Sequence, residues 1–224
     1  GQSALYNNTT GINNTAIGIN AMWANQTGTV NTAVGLNALY SNLADNNTAV
    51  GAYVLQNNTT GTQNVGMGRD ALQANTTGSS NTAIGYGALK TNTIGSENTT
   101  VGYNAGGAIT TGSYTTAIGM YALSAFVSGN QNVAVGAYSL QVATSQSNAC
   151  VGTNSGRAVT TGANNTIIGD NAGYSGTNNL TTGSNNIIIG SGAANSSASG
   201  SNIITLGNSS IATLRCQQTS ITAL

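Results

Sequence analysis

The chain of 224 residues carries four Lys or Arg, four Asp or Glu, no His and no Pro, and its formal charge is zero. Cations scattered over the whole length exclude a phosphate-binding surface, which needs clustered Lys and Arg to displace counterions, so no nucleic-acid partner is expected. The lack of His excludes His-dependent triads and acid–base chemistry, and no apolar run approaches the ~20 residues a membrane helix requires, so no membrane insertion is expected.

Read from the N-terminus, the chain repeats the phrase Asn-Thr-Ala-Ile/Val-Gly. Its closing glycines are Gly18, Gly35, Gly51, Gly68, Gly85, Gly102, Gly119, Gly136, Gly152, Gly169 and Gly190, at intervals of 17, 16, 17, 17, 17, 17, 17, 16, 17 and 21. Such a period marks a solenoid in which each repeat is one coil stacked on the last. The composition, rich in Asn, Thr, Gly and Ser, also suits a disordered chain, but 39% hydrophobic residues in fixed columns argue for a folded one.

Each phrase predicts a short strand. Four residues before the glycine stands Asn in every repeat but one, Thr115 being the exception, and stacking aligns these amides into a ladder. The residue before the glycine is aliphatic or Met throughout (Ile17, Val34, Val50, Met67, Ile84 and onward) and is assigned to the core. The small residue between them (Ala16, Ala33, Ala49, Gly66, Ala83, Thr100, Ala117, Ala134, Cys150) then falls on the opposite face by the period-2 rule.

A second strand is expected at the Ala-Leu pair that follows, as in Ala38-Leu39 and Ala88-Leu89. Where Leu gives way to Gly106 or Gly156, an aliphatic residue appears three positions later, Ile109 or Val159, which suggests that the core is refilled from the neighbouring position. Elsewhere that later position holds a second Asn column: Asn25, Asn42, Asn58, Asn75 and Asn92. The coil closes through a Thr-Gly or Thr-Thr-Gly turn at Gly28, Gly61, Gly78, Gly95, Gly112 and Gly162, where glycine is expected to supply the positive φ a tight turn often needs. The two 16-residue intervals are those with Asp45 or Gln146 in place of that glycine.

Eleven coils at ~4.8 Å each make a rod of roughly 50 Å. With only a few apolar side chains per coil, a lone roll has little core to offset its ordering entropy, so the small-residue face is expected to pack against sister chains. Toward the C-terminus that middle column becomes Ile167 and Ile188, which predicts tighter interchain burial there. Cys150 and Cys216 lie in no metal-type spacing and read as free thiols rather than a disulfide or metal pair.

The phrases NTAIG and NTAVG resemble the head repeats of YadA-like trimeric adhesins, a family whose coils form a left-handed parallel β-roll and whose three rolls pack side by side. The family's usual coil is shorter than 17 residues, and the longer form NTAIGxxAL is more similar to repeats of bacteriophage tail fibres. The segment LGNSSIATLRCQQTSITAL, Leu206 to Leu224, resembles the stretch preceding the intramolecular chaperone (peptidase S74, endosialidase-type) of many phage fibres and tailspikes. That resemblance implies a chaperone that assembles the trimer and then cuts itself off.

These readings together predict an all-β fold: a homotrimeric, left-handed parallel β-solenoid over residues 1–190, then a short β module over 191–224 that precedes a removed chaperone domain. The carboxylates Asp45, Asp70, Glu97 and Asp170 fall in different coils, so a glycosidase pair is not expected and the chain is read as no enzyme, with no cofactor and no metal. Aromatics are the candidates for recognition. Trp23 should stack over Tyr40, Tyr86 over Tyr103 and Tyr121 over Tyr138, presenting amphipathic rings that suit sugar faces; covering coil edges or filling an intersubunit seam is the alternative role.

The function expected on the resemblance is a viral tail-fibre segment of the virion that adheres to a host-surface glycan or protein receptor and joins other fibre or baseplate proteins. A bacterial trimeric autotransporter adhesin head at the cell surface is the alternative. A third is an ice-binding solenoid, suggested by the column Thr15, Thr32, Thr48, Thr82, Thr99 and Thr116.

Overall fold

The computed structural model describes residues 1–176 and 178–211. Twelve three-residue strands succeed one another: β1 (Thr15–Ile17), β2 (Thr32–Val34), β3 (Thr48–Val50), β4 (Val65–Met67), β5 (Thr82–Ile84), β6 (Thr99–Val101), β7 (Thr116–Ile118), β8 (Val133–Val135), β9 (Ala149–Val151), β10 (Thr166–Ile168), β11 (Ile187–Ile189) and β12 (Ile204–Leu206). They form one parallel sheet in sequence order. The protein is an all-β parallel solenoid of about 11 turns with coils of about 17 residues, and the described residues contain no helix.

Register follows the columns. Thr15 pairs with Thr32, Ala16 with Ala33 and Ile17 with Val34, and the same alignment runs to the last pair, Ile187 with Ile204 and Ile189 with Leu206. The roll therefore continues through β12, one coil beyond Gly190. The rest of the expected C-terminal module, with Cys216, lies in residues 212–224, outside the described residues.

Three expectations are corrected. Each coil has one strand, not two: the Ala-Leu pair is a turn in which Leu39 takes φ 51 and Leu89 takes φ 50. Coil-to-coil bonding persists there, as in Leu39 N–H to Val54 C=O at 3.0 Å and Leu72 N–H to Ala88 C=O at 3.1 Å. The left-handed backbone at Leu turns both members of the pair inward, so that Ala38 and Leu39 are each fully buried, where a strand would point them to opposite faces.

The second correction concerns which face is inside. The small middle column is the core: Ala33, Ala49, Ala83, Ala117, Ala134 and Cys150 are all 0% exposed, whereas Ile17, Met67, Ile84, Ile118 and Val151 are 37–58% exposed. The physical reason is the thinness of the roll. Leu, six residues further along, reaches across the interior and leaves room opposite for no more than Ala. Where the strand residue is larger the Leu is deleted, giving Thr100 with Gly106, Cys150 with Gly156 and Ile167 with Gly173. A Cβ on Gly106 would lie 2.9 Å from both Thr100 Cγ2 and Ile109 Cδ1, so Ile109 refills the space as expected. The same trade explains Ile167 and Ile188, both buried within the roll and not in an interchain contact.

Two buried Asn ladders close the coil. In the first, Asn81 N–H donates to Asn64 Oδ1 at 3.0 Å and Asn81 Nδ2 to the turn carbonyl of Gly95 at 2.9 Å. In the second, Asn92 Nδ2 donates to Asn75 Oδ1 at 2.8 Å and to that same Gly95 carbonyl at 2.9 Å. In the short coil Asp45 caps the turn instead, accepting from Thr29 N–H at 2.7 Å, and Ala44 supplies the carbonyl to Asn31 and Asn42. The Thr-Gly turn glycines, Gly28 and Gly95 among them, are not at the positive φ expected of them; they are glycine because a Cβ would strike a carbonyl of the next coil, Ala44 or Gly112. Positive φ falls instead on the glycine after each strand: Gly35 has φ 141, and a Cβ there would strike the Gly51 carbonyl of the next coil.

Candidate functional site

Because coils stack in register, a residue type repeated at one offset becomes a row along the rod. Trp23 and Tyr40 stand five residues after their glycines and stack at 5.3 Å and 5°, and Tyr6 extends the row at 6.2 Å and 2°. Tyr86 stacks on Tyr103 at 5.4 Å and 9°, and Tyr121 on Tyr138 at 5.5 Å and 20°. All three expected pairs form.

The structure also joins pairs that the sequence left apart. The tyrosine position shifts by one residue between Tyr103 and Tyr121, and these two rings meet edge-on at 5.2 Å and 73°. Beyond Tyr138 a guanidinium takes the place of a ring: Arg157 lies over Tyr138 at 4.9 Å and over Tyr174, on the following coil, at 5.4 Å. Tyr86, Tyr103, Tyr121, Tyr138, Arg157 and Tyr174 thus form one continuous row. Tyr6, Tyr174 and Arg157 share the column of Trp23 and Tyr40, and that column was the signal that could have found them.

Contacts between offsets place these groups along a single edge. Arg157 and Lys90 stand five residues after their glycines, yet they touch Tyr138 and Asp70, which stand two after theirs. Asp70 is nearly buried and gathers two cations, Lys90 Nζ at 3.3 Å and Arg69 Nε at 3.7 Å, while Arg69 also lies 6.0 Å from the Tyr53 ring. The two cations are exposed while the carboxylate they share is enclosed, so both are held in place by the group that needs them as partners. An open depression lined by Ser175, Gly192, Ala194, Gly207, Asn208 and Ser209 begins beside Tyr174.

Tyr86 and Tyr103 are about half exposed, and Trp23, Tyr40, Tyr121 and Tyr138 keep part of each ring open. The Tyr121 phenol is raised above its ordinary value by side-chain hydrogen bonding to Tyr103 first, then by burial and by the Tyr103 and Tyr138 charges. It is therefore a protonated donor at neutral pH. Burial pushes the Cys150 thiol up to about 12, against a lowering contribution from Ser155, so it stays an inert thiol. Asp45 is used in its turn and Asp170 accepts from Asn171 at 2.7 Å. Among the described residues, no three of His, Cys, Asp and Glu are grouped to hold a metal.

Comparison with protein-family profiles, with curated proteins and with solved structures finds no match.

Proposed function

We propose that the chain is a receptor-binding segment of a trimeric viral tail fibre, with the aromatic edge as the surface that meets a host glycan. The observation that carries the reading is the row of stacked, partly open rings, Tyr6–Trp23–Tyr40 and Tyr86–Tyr103–Tyr121–Tyr138. A sugar ring packs its apolar C–H face on an aromatic ring and bonds through its hydroxyls to neighbouring phenols and amides. A repeating row suits a repeating polymer, since each coil can hold another unit and weak sites add through effective concentration.

Trimer formation is supported by the exposed aliphatic column. From Ile17 to Leu206 it runs the length of the sheet's outer face, and contiguous apolar surface of this kind marks an interaction site. The Ile/Val column, not the Ala column, is the surface we assign to the seam. The resemblance to adhesin heads and phage fibres supports left-handed coils and three-fold packing, and the tail segment supports a downstream chaperone. A bacterial adhesin head uses the same architecture. Glycan-array binding with wild-type protein tests the reading, and absence of binding to any glycan overturns it.

One observation favours a second reading. Thr15, Thr32, Thr48, Thr82, Thr99 and Thr116 lie on the same outer face as the aliphatic column, a regular array suited to ordering ice-like water. Val65, Val133 and Ala149 interrupt it, and a trimer seam would cover it. Thermal hysteresis near zero dismisses this reading.

A further inference from the structure

Of the three described Lys and Arg side chains, Arg69 and Lys90 are both committed to Asp70, whereas among the described residues no carboxylate lies within ion-pair distance of Arg157. The carboxylate of the next coil, Asp170, is engaged by Asn171. Arg157 is nonetheless held in place. It lies between the Tyr138 ring of the preceding coil and the Tyr174 ring of the following one, with the guanidinium carbon 4.9 and 5.4 Å from their centroids, within the range of a cation–π contact. Its Nε donates to Gln141 Oε1 at 3.0 Å and its Nη1 to Asn154 Oδ1 at 3.2 Å.

A guanidinium has five N–H donors, and these two bonds leave three, one on Nη1 and both on Nη2, without an acceptor among the described residues. With a ring on the coil before and another on the coil after, the way left open to a ligand is from outside, toward the free N–H groups. That is the approach of a planar carboxylate making two parallel N–H···O bonds. The orientation is fixed before binding, so little side-chain entropy remains to be lost.

We propose that Arg157, clamped between Tyr138 and Tyr174, is a carboxylate-binding subsite, and that the glycan of this edge is an acidic one bearing a carboxylated sugar. This rests on the glycan reading above and supplies its substrate class. The sugar bearing the carboxylate sits at Arg157, the preceding units lie along Tyr121 and Tyr103, and the depression that begins at Ser175 offers hydroxyl and amide partners to the next unit.

The test compares wild type, Arg157→Gln and Arg157→Lys for binding to polygalacturonate, its methyl ester, dextran sulfate and neutral amylose, with circular dichroism to confirm that each variant is folded. The expected result is salt-sensitive binding of wild type to polygalacturonate, at least tenfold weaker for the ester and for Arg157→Gln. Arg157→Lys, which keeps the charge but loses the planar fork, should fall between them. Equal binding of acid and ester by wild type and Arg157→Gln overturns the carboxylate subsite while leaving a neutral-glycan edge intact. Equal binding of dextran sulfate and polygalacturonate overturns the selectivity for carboxylate. No binding to any of the four polymers, on an array that shows binding elsewhere, overturns the acidic class alone; silence of the whole array removes the glycan reading with it.

Discussion

Cys150 occupies the volume that a side chain on Gly156 would need: a Cβ placed on Gly156 would lie 2.7 Å from the Cys150 Sγ. Every coil solves the same problem, a large residue on one wall and a small one on the other, and only the wall that carries the large one changes. Gly156→Leu should therefore destabilise the protein by about 1–3 kcal/mol through overpacking. Adding Cys150→Ala removes the closest of these contacts, leaving Ile167 Cδ1 at 3.1 Å and the buried Val159, and should recover part of that loss. Denaturant unfolding of the four proteins in a double-mutant cycle checks it; simple additivity would show that the two positions do not share a slot.

The second Asn ladder ends on a loose bond. Asn92 Oδ1 is buried without a partner, because the next coil offers Ile109 where an amide would have donated. Asn92→Ile removes that orphan acceptor and strands one other, Asn75 Oδ1. Asn75→Ile strands both Asn58 Oδ1 and an N–H of Asn92, two groups that are paired at 2.7 and 2.8 Å in the native protein. Each unpaired buried group costs about 1–3 kcal/mol. Because Asn75→Ile also keeps the Asn92 Oδ1 orphan, the two variants differ by two unpaired groups; thermal melting should rank Asn75→Ile below Asn92→Ile by about twice that amount, and the reverse order would contradict the ladder.

Burial of Cys150 makes a chemical and a pH prediction. With its thiol at about 12 against an ordinary 9.0, the folded state holds the proton more tightly than the unfolded one. Between those values the unfolded chain binds fewer protons, so this contribution to stability is present in full below pH 9 and is lost as pH rises toward 12. In a Cys216→Ser background, Cys150 should resist a thiol reagent at pH 8 in the folded protein and react fully once unfolded in guanidinium chloride. Rapid labelling of the folded protein would place the thiol outside the core.

The repeat length, the first Asn ladder and the aromatic pairs were legible because each depends only on residues recurring at one offset. The choice of inside and outside was not. Period 2 separates Val34 from Ala33 but is silent on which faces the core, and hydrophobicity favours the wrong one. The deciding fact is the left-handed backbone at Leu39, which turns Ala38 and Leu39 inward together, and no residue type in that pair announces it. At the candidate site, the contact of Tyr103 with Tyr121 and of Arg157 with Tyr138 crosses from one offset to another, so column counting alone could not supply it.

The recognition proposed for the N-terminal rings can be separated from the fold. Trp23 and Tyr40 stack on each other outside the Ala-Leu core, and a sugar that gains from each ring what an aromatic pair gains, about 0.5–1.5 kcal/mol, loses a measurable share of its binding without them. Replacing both by Ala should weaken binding to the host surface about tenfold while leaving the β-roll circular dichroism unchanged. Full binding by the folded double variant would remove these two rings from the contact surface.

The proposed trimer rests on the outer aliphatic column, and that location can be separated from the fold by charge. Ile118 is 38% exposed and Val135 half-buried, both pointing away from the core, whereas Ala117, between Thr116 and Ile118, is fully enclosed. Glutamate at Ile118 and Val135 would be solvated in a lone roll and buried unpaired in a seam, where desolvation opposes association. Light scattering should give three times the 22.2 kDa chain mass for wild type and a single chain mass for the double variant, with the β-roll spectrum retained. Ala117→Glu should instead lose the spectrum, since its charge enters the core. A wild-type monomer removes the trimer, and a trimer that survives the Ile118→Glu and Val135→Glu pair moves the seam to another face.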